Sequence, residues 1–318
     1  MTAAAGGRTA REACAHQLAD LMRADDRVVC LDSDTGAFAR VDFGPAAARY
    51  LNLGIAEQNM MGVAAGLART GLIPFVHTMA TFAATRALEA VKVDLAYAGL
   101  PVHIVASHAG LSAASLGPTH HALEDVAIMR MLPGMRVAVP ADTDAALALL
   151  RRAPALDGPS YLRLGRDATP PLPGGKGPVR WGSCRVLRPL GGEVLIVACG
   201  PRPVCAALAA ADTLAAAGAG VTVLDMHTVK PLDTATLSRA ARAARVVVTV
   251  EEHWMSGGLG SAVAEWLSAT DPRPVRRIGA PDRFFTLIGD HAHLLEQAGI
   301  TAEAVVAAAR STLVTSDR

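Results

Sequence analysis

Short runs of β-branched residues alternate with Ala- and Leu-rich stretches along most of the chain. This alternation predicts open, mostly parallel sheets whose strands are buried by helices on both faces. A Pro- and Gly-rich segment, residues 169–178, interrupts the alternation and is typical of a linker. We therefore expect an α/β protein of two domains, with residues 1–168 in the first, 169–190 in a linker and 191–318 in the second.

The predicted elements follow the same alternation. In the first domain, strands are expected at residues 28–31, 73–76, 102–107, 136–139 and 161–164, with helices between them that include Glu57–Arg69, 83–98 and 142–152. In the second domain, strands are expected at residues 194–199, 221–225, 246–251 and 275–278. Each domain should therefore be an open, mostly parallel sheet covered by helices.

Composition excludes several classes of function. The chain has 318 residues, of which 51% are hydrophobic, as in a well-buried globular protein. Its net charge of +1 and aromatic content of 4% argue against nucleic acid as a partner. No apolar run reaches the roughly 18 residues of a membrane span, and residues 1–11 lack the apolar core of a signal peptide. The five cysteines form no C-x-x-C pair, so we expect a cytoplasmic protein with reduced thiols and no membrane partner.

A single acid, Glu57, begins a predicted helix within the stretch N-L-G-I-A-E-Q-N-M. Gly62 and Gly66 lie four residues apart, so they share a helix face and allow another backbone to approach closely. Burial disfavours the charged form of a carboxyl group, whereas the helix N-terminus favours it. Taken alone, without the other motifs, Glu57 is more simply interpreted as a capping acid.

Polar side chains follow several of the predicted strands. Ligands of open α/β sheets bind beyond the carboxyl ends of the strands. Phe82 ends the stretch H-T-M-A-T-F after one strand, His108 follows the next strand in S-H-A-G, and His120 lies twelve positions later in the turn sequence G-P-T-H. Buried imidazoles need hydrogen-bond partners, so two histidines in one Gly- and Pro-rich loop indicate a site.

At these motifs the chain resembles the C-terminal half of transketolase and deoxyxylulose-phosphate synthase, from about residue 10 to residue 313. R-Y-L-N-L-G-I-A-E-Q-N-M resembles the family's stretch around the acid that contacts the cofactor, and G-P-T-H resembles its substrate loop. In the second domain, V-K-P-L-D at 229–233 and E-E-H…G-G-L-G at 251–260 resemble the family's C-terminal domain. The resemblance implies a pyrimidine-binding domain followed by a transketolase C-terminal domain.

The resemblance also implies roles for single residues. Glu57 would hydrogen-bond the pyrimidine ring of thiamine diphosphate and so promote loss of the thiazolium proton. Phe82 would stack on the pyrimidine, which contributes on the order of 1 kcal/mol beyond area burial. His108 and His120 would contact substrate oxygens as donors or acid–base groups. Arg166 would bind a substrate phosphate through its guanidinium group.

Other candidates have simpler interpretations. Arg163 competes with Arg166 for the phosphate-binding role, and either is also compatible with a surface charge. The cluster Glu251, Glu252 and His253 could be an acid–base group, but we expect it to be structural because fold features alone do not establish a site. The pair at residues 291 and 293 lacks further ligand-like spacing, so no metal site is expected in this chain.

One part of a complete enzyme is missing from the sequence. The family binds the diphosphate and a divalent metal through a G-D-G motif with a following Asn, whereas this chain offers only Gly289-Asp290, near its C-terminus. We therefore expect a split enzyme. A separate N-terminal subunit would carry the diphosphate and Mg²⁺ or a similar divalent metal, and the two subunits would form a heterotetramer active on small molecules.

The substrate and two alternative functions stay open. Leu116 replaces the acid that precedes G-P-T-H in the family, Ala47 replaces a phosphate-contacting serine, and Gln58 matches the deoxyxylulose-phosphate synthase pattern. A changed polar partner predicts a changed substrate, either a ketose phosphate or a small 2-oxoacid such as pyruvate. The alternatives are the beta subunit of a 2-oxoacid dehydrogenase and a non-catalytic structural partner.

Overall fold

The computed structural model describes residues 8–168, 172, 179–286 and 288–315. The chain divides into two compact units, the first formed mainly by residues before 172 and the second mainly by residues from 172 onward. Both units are mostly parallel sheets covered by helices, so the predicted fold class is confirmed.

The first unit is built on parallel strands. Its strands are β1 (Val28–Asp32), β2 (Tyr50–Asn52), β3 (Ile73–Met79), β4 (His103–Ser107), β5 (Arg136–Ala138) and β6 (Ser160–Arg163). They are hydrogen-bonded in the order β5-β6-β4-β3-β1-β2, and all of these pairs are parallel. Every residue of β1 and β4 is buried, which explains the apolar runs at residues 28–31 and 104–106.

Two of the described helices of the first unit, α1 (Ala10–Ala24) and α6 (Thr143–Arg152), begin at a side-chain cap. The others are α2 (Glu57–Arg69), α3 (Ala80–Ala84), α4 (Leu88–Ala90) and α5 (Asp125–Met131), with 3₁₀ turns at Gly44–Arg49 and Ala153–Ala155. Thr9 and Glu12 form a reciprocal capping box at α1, and the Asp142 side chain caps α6.

The helix expected at residues 83–98 is not continuous. It is replaced by α3, α4 and a π-helix at Val91–Tyr97. Thr85 ends α3, and both its backbone N–H and its hydroxyl donate to the carbonyl of Thr81. The side-chain bond competes with helix continuation, so the chain turns at this point.

The second unit has one antiparallel edge. Its strands are β7 (Arg185–Arg188), β8 (Val194–Ala198), β9 (Val221–Asp225), β10 (Thr228–Lys230), β11 (Val246–Trp254) and β12 (Val275–Ala280). Its helices are α7 (Pro201–Ala216), α8 (Thr234–Ala241), α9 (Leu259–Thr270), α10 (His291–Ala298) and α11 (Ala302–Thr315), with a 3₁₀ turn at Ala114–Leu116. The order β12-β11-β8-β9-β7 is parallel except that β7 runs antiparallel to β9.

The domain boundaries stay a prediction. Most of the expected linker, residues 169–171 and 173–178, lies outside the described residues. The strand β7 lies within the segment 169–190 that was assigned to the linker.

Within the described part of the chain, none of the helices combines the length and the apolar character that a membrane crossing requires.

Candidate functional site

Glu57 is the first residue of α2, and it is only 1% exposed. Its neighbour Ala56 is the N-cap and offers no side-chain cap. One carboxylate oxygen, Oε2, accepts a hydrogen bond of 2.7 Å from the Arg86 guanidinium group, and Oε1 accepts a longer one of 3.4 Å from the Thr78 hydroxyl. The carboxylate is therefore held by β3 and by the turn after α3, and not by its own helix.

A chain of hydroxyl groups supports this carboxylate from the sheet. The buried Ser33 hydroxyl, just after β1, donates to the Thr78 hydroxyl on β3 at 2.8 Å. Thr78 is fully buried and donates in turn to Glu57. The Thr78 hydroxyl accepts a hydrogen bond from Ser33 and has a single proton of its own to donate. The hydrogen bond from Ser33 therefore directs the Thr78 proton toward Glu57.

Phe82 lies in α3, directly beyond the end of β3. The Arg86 guanidinium carbon lies 4.1 Å from the centroid of the Phe82 ring. The His120 ring meets Phe82 edge-on, with centroids 5.4 Å apart and an interplanar angle of 76°. The structure therefore brings Glu57, Phe82 and His120 together in one cluster, with Arg86 between the acid and the aromatic ring.

His108 follows β4 and has a left-handed backbone, with φ of +57°. A left-handed conformation is unfavourable for a residue with a side chain, and such residues concentrate at functional sites. The ring is 5% exposed, and its Nδ1 lies 3.0 Å from the Ser107 hydroxyl. Burial, together with the positive charges of Arg11 and Arg166, lowers the pKa of His108 to about 4. Near neutral pH His108 is therefore an uncharged imidazole that can donate and accept hydrogen bonds.

The two candidate arginines have different environments. Arg163 is 7% exposed and forms two hydrogen bonds, of 2.7 and 3.0 Å, with the buried Asp125 carboxylate. It also donates to the carbonyl of Ala122 at 2.9 Å, so its guanidinium N–H groups bond to buried atoms of its own chain. Arg166 is exposed, and its backbone N–H donates to the Ser112 hydroxyl. Of the two, Arg166 is the side chain that a ligand can reach.

Sequence reasoning missed Arg11, in the first turn of α1. Burial is the main cause that lowers its pKa, and the charges of Arg166 and Asp32 also act on it, which places these groups near one another. Among the residues that the structure describes, its buried Nε has no hydrogen-bond partner, and its side chain lines a cavity of about 610 Å³ together with Arg8, His16 and Arg40. No local motif marks Arg11, because its neighbours in the site come from distant parts of the chain.

A second polar group lies at the same edge of the sheet. Asp32 at the end of β1 and His77 on β3 face each other in register, with 3.2 Å between Oδ1 and Nδ1. The Thr35 hydroxyl bonds both side chains, and the Tyr50 hydroxyl donates to Asp32. Although burial raises the pKa of Asp32, the hydrogen bonds from His77, Thr35 and Tyr50 bring it below its ordinary value. The group contains a carboxylate that stays ionised in the interior.

The acid cluster of the second unit is paired within the unit itself. The Glu251 carboxylate accepts hydrogen bonds from the backbone N–H groups of Leu259 and Gly260, at 2.6 and 2.7 Å, at the start of α9. Glu252 lies 2.8 Å from His291 in the interior. The Gly-rich turn therefore binds a side chain of its own chain at the position where a foreign anion would bind. Among the described residues, no three His, Cys, Asp or Glu side chains group in a way that could hold a metal ion.

Two family models match the chain. The model of the transketolase pyrimidine-binding domain covers residues 7–171, and the model of the transketolase C-terminal domain covers residues 182–305. The chain belongs to the transketolase family. The resemblance recognised in the sequence is confirmed, and so are the two domain types that it implied.

Relatives of this transketolase-family chain include components of split enzymes. It is 42% identical over 294 residues to a component of the 6-deoxy-6-sulfo-D-fructose transketolase of Clostridium sp. (strain MSTE9), which covers 92% of this chain and 90% of that protein. It is 37% identical over 275 residues to a component of the apulose-4-phosphate transketolase of Phocaeicola vulgatus. That match covers 86% of this chain and 87% of the relative. A solved structure of a split-gene transketolase, an inactive β4 tetramer, matches with 42% identity and a TM-score of 0.86 over 97% of this chain and 99% of that one. The predicted function of a C-terminal component of a transketolase-like enzyme is confirmed.

The family uses thiamine diphosphate, and the first unit matches the domain type that binds its pyrimidine ring. The residues present fit that group. A buried carboxylate and an aromatic face already hold a planar N–H donor between them, the guanidinium of Arg86. An aminopyrimidine is likewise planar, and its ring nitrogen can share a proton with the acid, so Glu57 and Phe82 would hold it.

Proposed function

We propose that this chain is the C-terminal subunit of a two-component, thiamine diphosphate-dependent transketolase and is active only with a separate partner subunit. The enzyme would move a two-carbon ketol unit from a ketose donor to an aldehyde acceptor. The observation that carries the proposal is the buried Glu57 carboxylate, which lies beside the half-buried Phe82 ring in a cluster that includes His120.

Each side chain would have a distinct task. Glu57 would share a proton with the pyrimidine ring, and the hydroxyl chain through Thr78 would orient its carboxyl group. Phe82 would cover one face of the ring. The bound cofactor supplies the nucleophilic carbon that attacks a carbonyl group. His108, uncharged near neutral pH, would bind a substrate oxygen, and His120 would act from beside Phe82.

The positive charges near His108 support an anionic substrate. Arg11 and Arg166 both act on the pKa of His108, and the cavity beside Arg11 is lined by further basic side chains. Guanidinium groups bind phosphate and sulfonate oxygens with charge-assisted hydrogen bonds. The two named relatives act on a sulfosugar and on a sugar phosphate. We propose a donor with a phosphate or sulfonate at its distal end, which favours a sugar over pyruvate.

Two features support dependence on a partner subunit. The sequence lacks the G-D-G motif with a following Asn by which the family binds the cofactor diphosphate and its divalent metal. Gly62 and Gly66 form an exposed face of α2, and apart from their own helical turn no atom of the described residues lies within 4 Å of a Cβ built on either of them. Such a face would allow a partner backbone to approach closely. We propose that the partner binds the diphosphate with Mg²⁺ and that two copies of each subunit form a heterotetramer.

Reconstitution tests this proposal. The protein encoded beside this chain that carries the G-D-G…N pattern would be co-expressed with it, and the pair would be separated by size-exclusion chromatography with thiamine diphosphate and Mg²⁺. We expect a complex of both subunits that transfers a ketol unit from phosphorylated or sulfonated ketoses to aldehydes. Turnover by this chain alone would refute the split arrangement. A well-formed complex that transfers acyl groups to lipoamide, and no ketol units, would refute the transketolase assignment.

A further inference from the structure

Arg86 makes two contacts at once in the first unit. Its NH1 donates to Glu57 Oε2 at 2.7 Å, and its guanidinium carbon lies 4.1 Å from the Phe82 ring centroid. The proposed function gives the cofactor pyrimidine the same two contacts, a hydrogen bond to the buried acid and a stacked aromatic face. A guanidinium group is planar and stacks on aromatic rings, so it resembles an aminopyrimidine in shape, and its N–H group meets the Glu57 oxygen that would share a proton with the pyrimidine ring nitrogen.

We propose that Arg86 is a positioning residue that takes the place of the pyrimidine ring in the cofactor-free subunit and moves out when the cofactor binds. This inference rests on the proposed function. It assigns Arg86 the task of keeping Glu57 and Phe82 in their working arrangement before the cofactor is present.

The charge of Glu57 explains why another group must bind it when the cofactor is absent. The carboxylate is 1% exposed, and an ionised carboxylate without a partner in the interior is strongly unfavourable. Its other hydrogen bond comes from the Thr78 hydroxyl at 3.4 Å, which is a weak contact. Arg86 therefore supplies the main counter-charge in the cofactor-free chain.

The exposure of Arg86 explains how it can leave. Its side chain is 45% exposed, and the residue lies in the turn between α3 and α4, outside regular helix. The guanidinium group can therefore move into water without disturbing a helix. The pair of Arg163 and Asp125 shows the contrast, because its side chains are only 6% and 0% exposed and no such movement is open to them.

The test uses the isolated full chain and the pyrimidine half of the cofactor, 4-amino-5-hydroxymethyl-2-methylpyrimidine. Thermal unfolding and isothermal titration would compare the unsubstituted chain with Arg86→Ala, and Arg69→Ala, at the exposed end of α2, would be the matched control. We expect Arg86→Ala to melt at a lower temperature without the fragment and to bind the fragment with a Kd about three- to tenfold lower, since the fragment no longer displaces a charged group. Arg69→Ala should behave as the unsubstituted chain.

Further variants distinguish an Arg86 that occupies the pyrimidine position from an Arg86 with a purely structural role. In the double variant Glu57→Gln with Arg86→Ala, the gain in fragment affinity should disappear. Arg86→Gln, which keeps a shorter planar group over Phe82, should give an intermediate gain, and it replaces Arg86→Ala if that variant does not fold. A fragment that binds the Arg86 variants equally, more weakly or not at all would overturn the inference.

The proposed function is tested separately by turnover of the unsubstituted, reconstituted complex. An active complex combined with no gain in the Arg86 variants would refute only the role of Arg86. An inactive complex that contains both subunits would refute the proposed function itself.

Discussion

Arg163 lies at the end of β6 and Arg166 three residues after it. Replacing Arg163 should lower the stability of the fold, whereas replacing Arg166 should weaken substrate binding. Arg163→Met removes the partner of the Asp125 carboxylate, which is fully buried. The Tyr161 hydroxyl still donates to Asp125 at 2.7 Å, but it supplies no charge. Breaking a buried ion pair by removing one partner costs about 3–5 kcal/mol, so we expect this loss in the free energy of unfolding.

Arg166→Met should leave stability nearly unchanged and weaken substrate binding. The side chain is exposed, and substitutions of this kind usually change stability by less than about 0.5 kcal/mol. A lost hydrogen bond to a charged group is worth about 1.5–3 kcal/mol, which corresponds to an increase of about 10- to 150-fold in KM for an anionic donor. The effect on a donor without phosphate or sulfonate should be small.

Urea unfolding of the isolated chain gives the stability of both variants, and steady-state kinetics of the reconstituted enzyme gives their KM values. The unsubstituted chain is the reference in both assays. An Arg163 variant of unchanged stability, or an Arg166 variant that loses more than about 2 kcal/mol, would refute the assignment of the two arginines.

Two further predictions concern His108 and Glu251. Since the pKa of His108 in the folded chain is about 4, below its ordinary value of 6.5, the unfolded chain binds more protons between these values, and stability falls as the pH drops through this range. His108→Asn should therefore reduce the stability lost between pH 7 and pH 5 by about 1–2 kcal/mol in urea unfolding, and an unchanged pH dependence would contradict the burial of this ring. Glu251→Gln removes one of the two carboxylate acceptors at the start of α9. It should lower the free energy of unfolding by about 1–3 kcal/mol and leave cofactor affinity in the complex unchanged. A changed cofactor affinity in a correctly folded variant would show that the second unit takes part in the site.

The sheets could be predicted from the sequence because most of their strands are buried on both faces. A strand such as Val194–Ala198 has no exposed residue and therefore appears as one continuous apolar run. The strands that were missed lack this signal. Tyr50–Asn52 has no buried residue, and Arg185–Arg188 places arginines at both ends of an antiparallel edge. The turn at residues 85–87 was missed because its cause, the bond from the Thr85 hydroxyl, is not visible in the helical pattern.

The site was predictable only where a motif marks it. Glu57, Phe82 and His120 come from stretches with family signatures, and the structure places them together. Arg86 carries no signature, because its importance comes from an acid 29 positions away. The family resemblance favoured Arg166 over Arg163, but the physical difference between them lies in Asp125, which is 38 positions from Arg163 and carries no signal of its own in the sequence. Long-range partners of this kind decide the role of a charge and are set by the fold.

The role of Glu57 is tested most directly by proton exchange at the thiazolium carbon of thiamine diphosphate bound to the reconstituted complex, measured by NMR after transfer to deuterium oxide. The Glu57 carboxyl group should promote this step. With Glu57→Gln, assembly should be intact and exchange should slow by about 100-fold or more, the range expected for loss of a positioned acid–base group. Exchange at the original rate in a fully assembled Glu57→Gln complex would contradict the central role of this carboxylate.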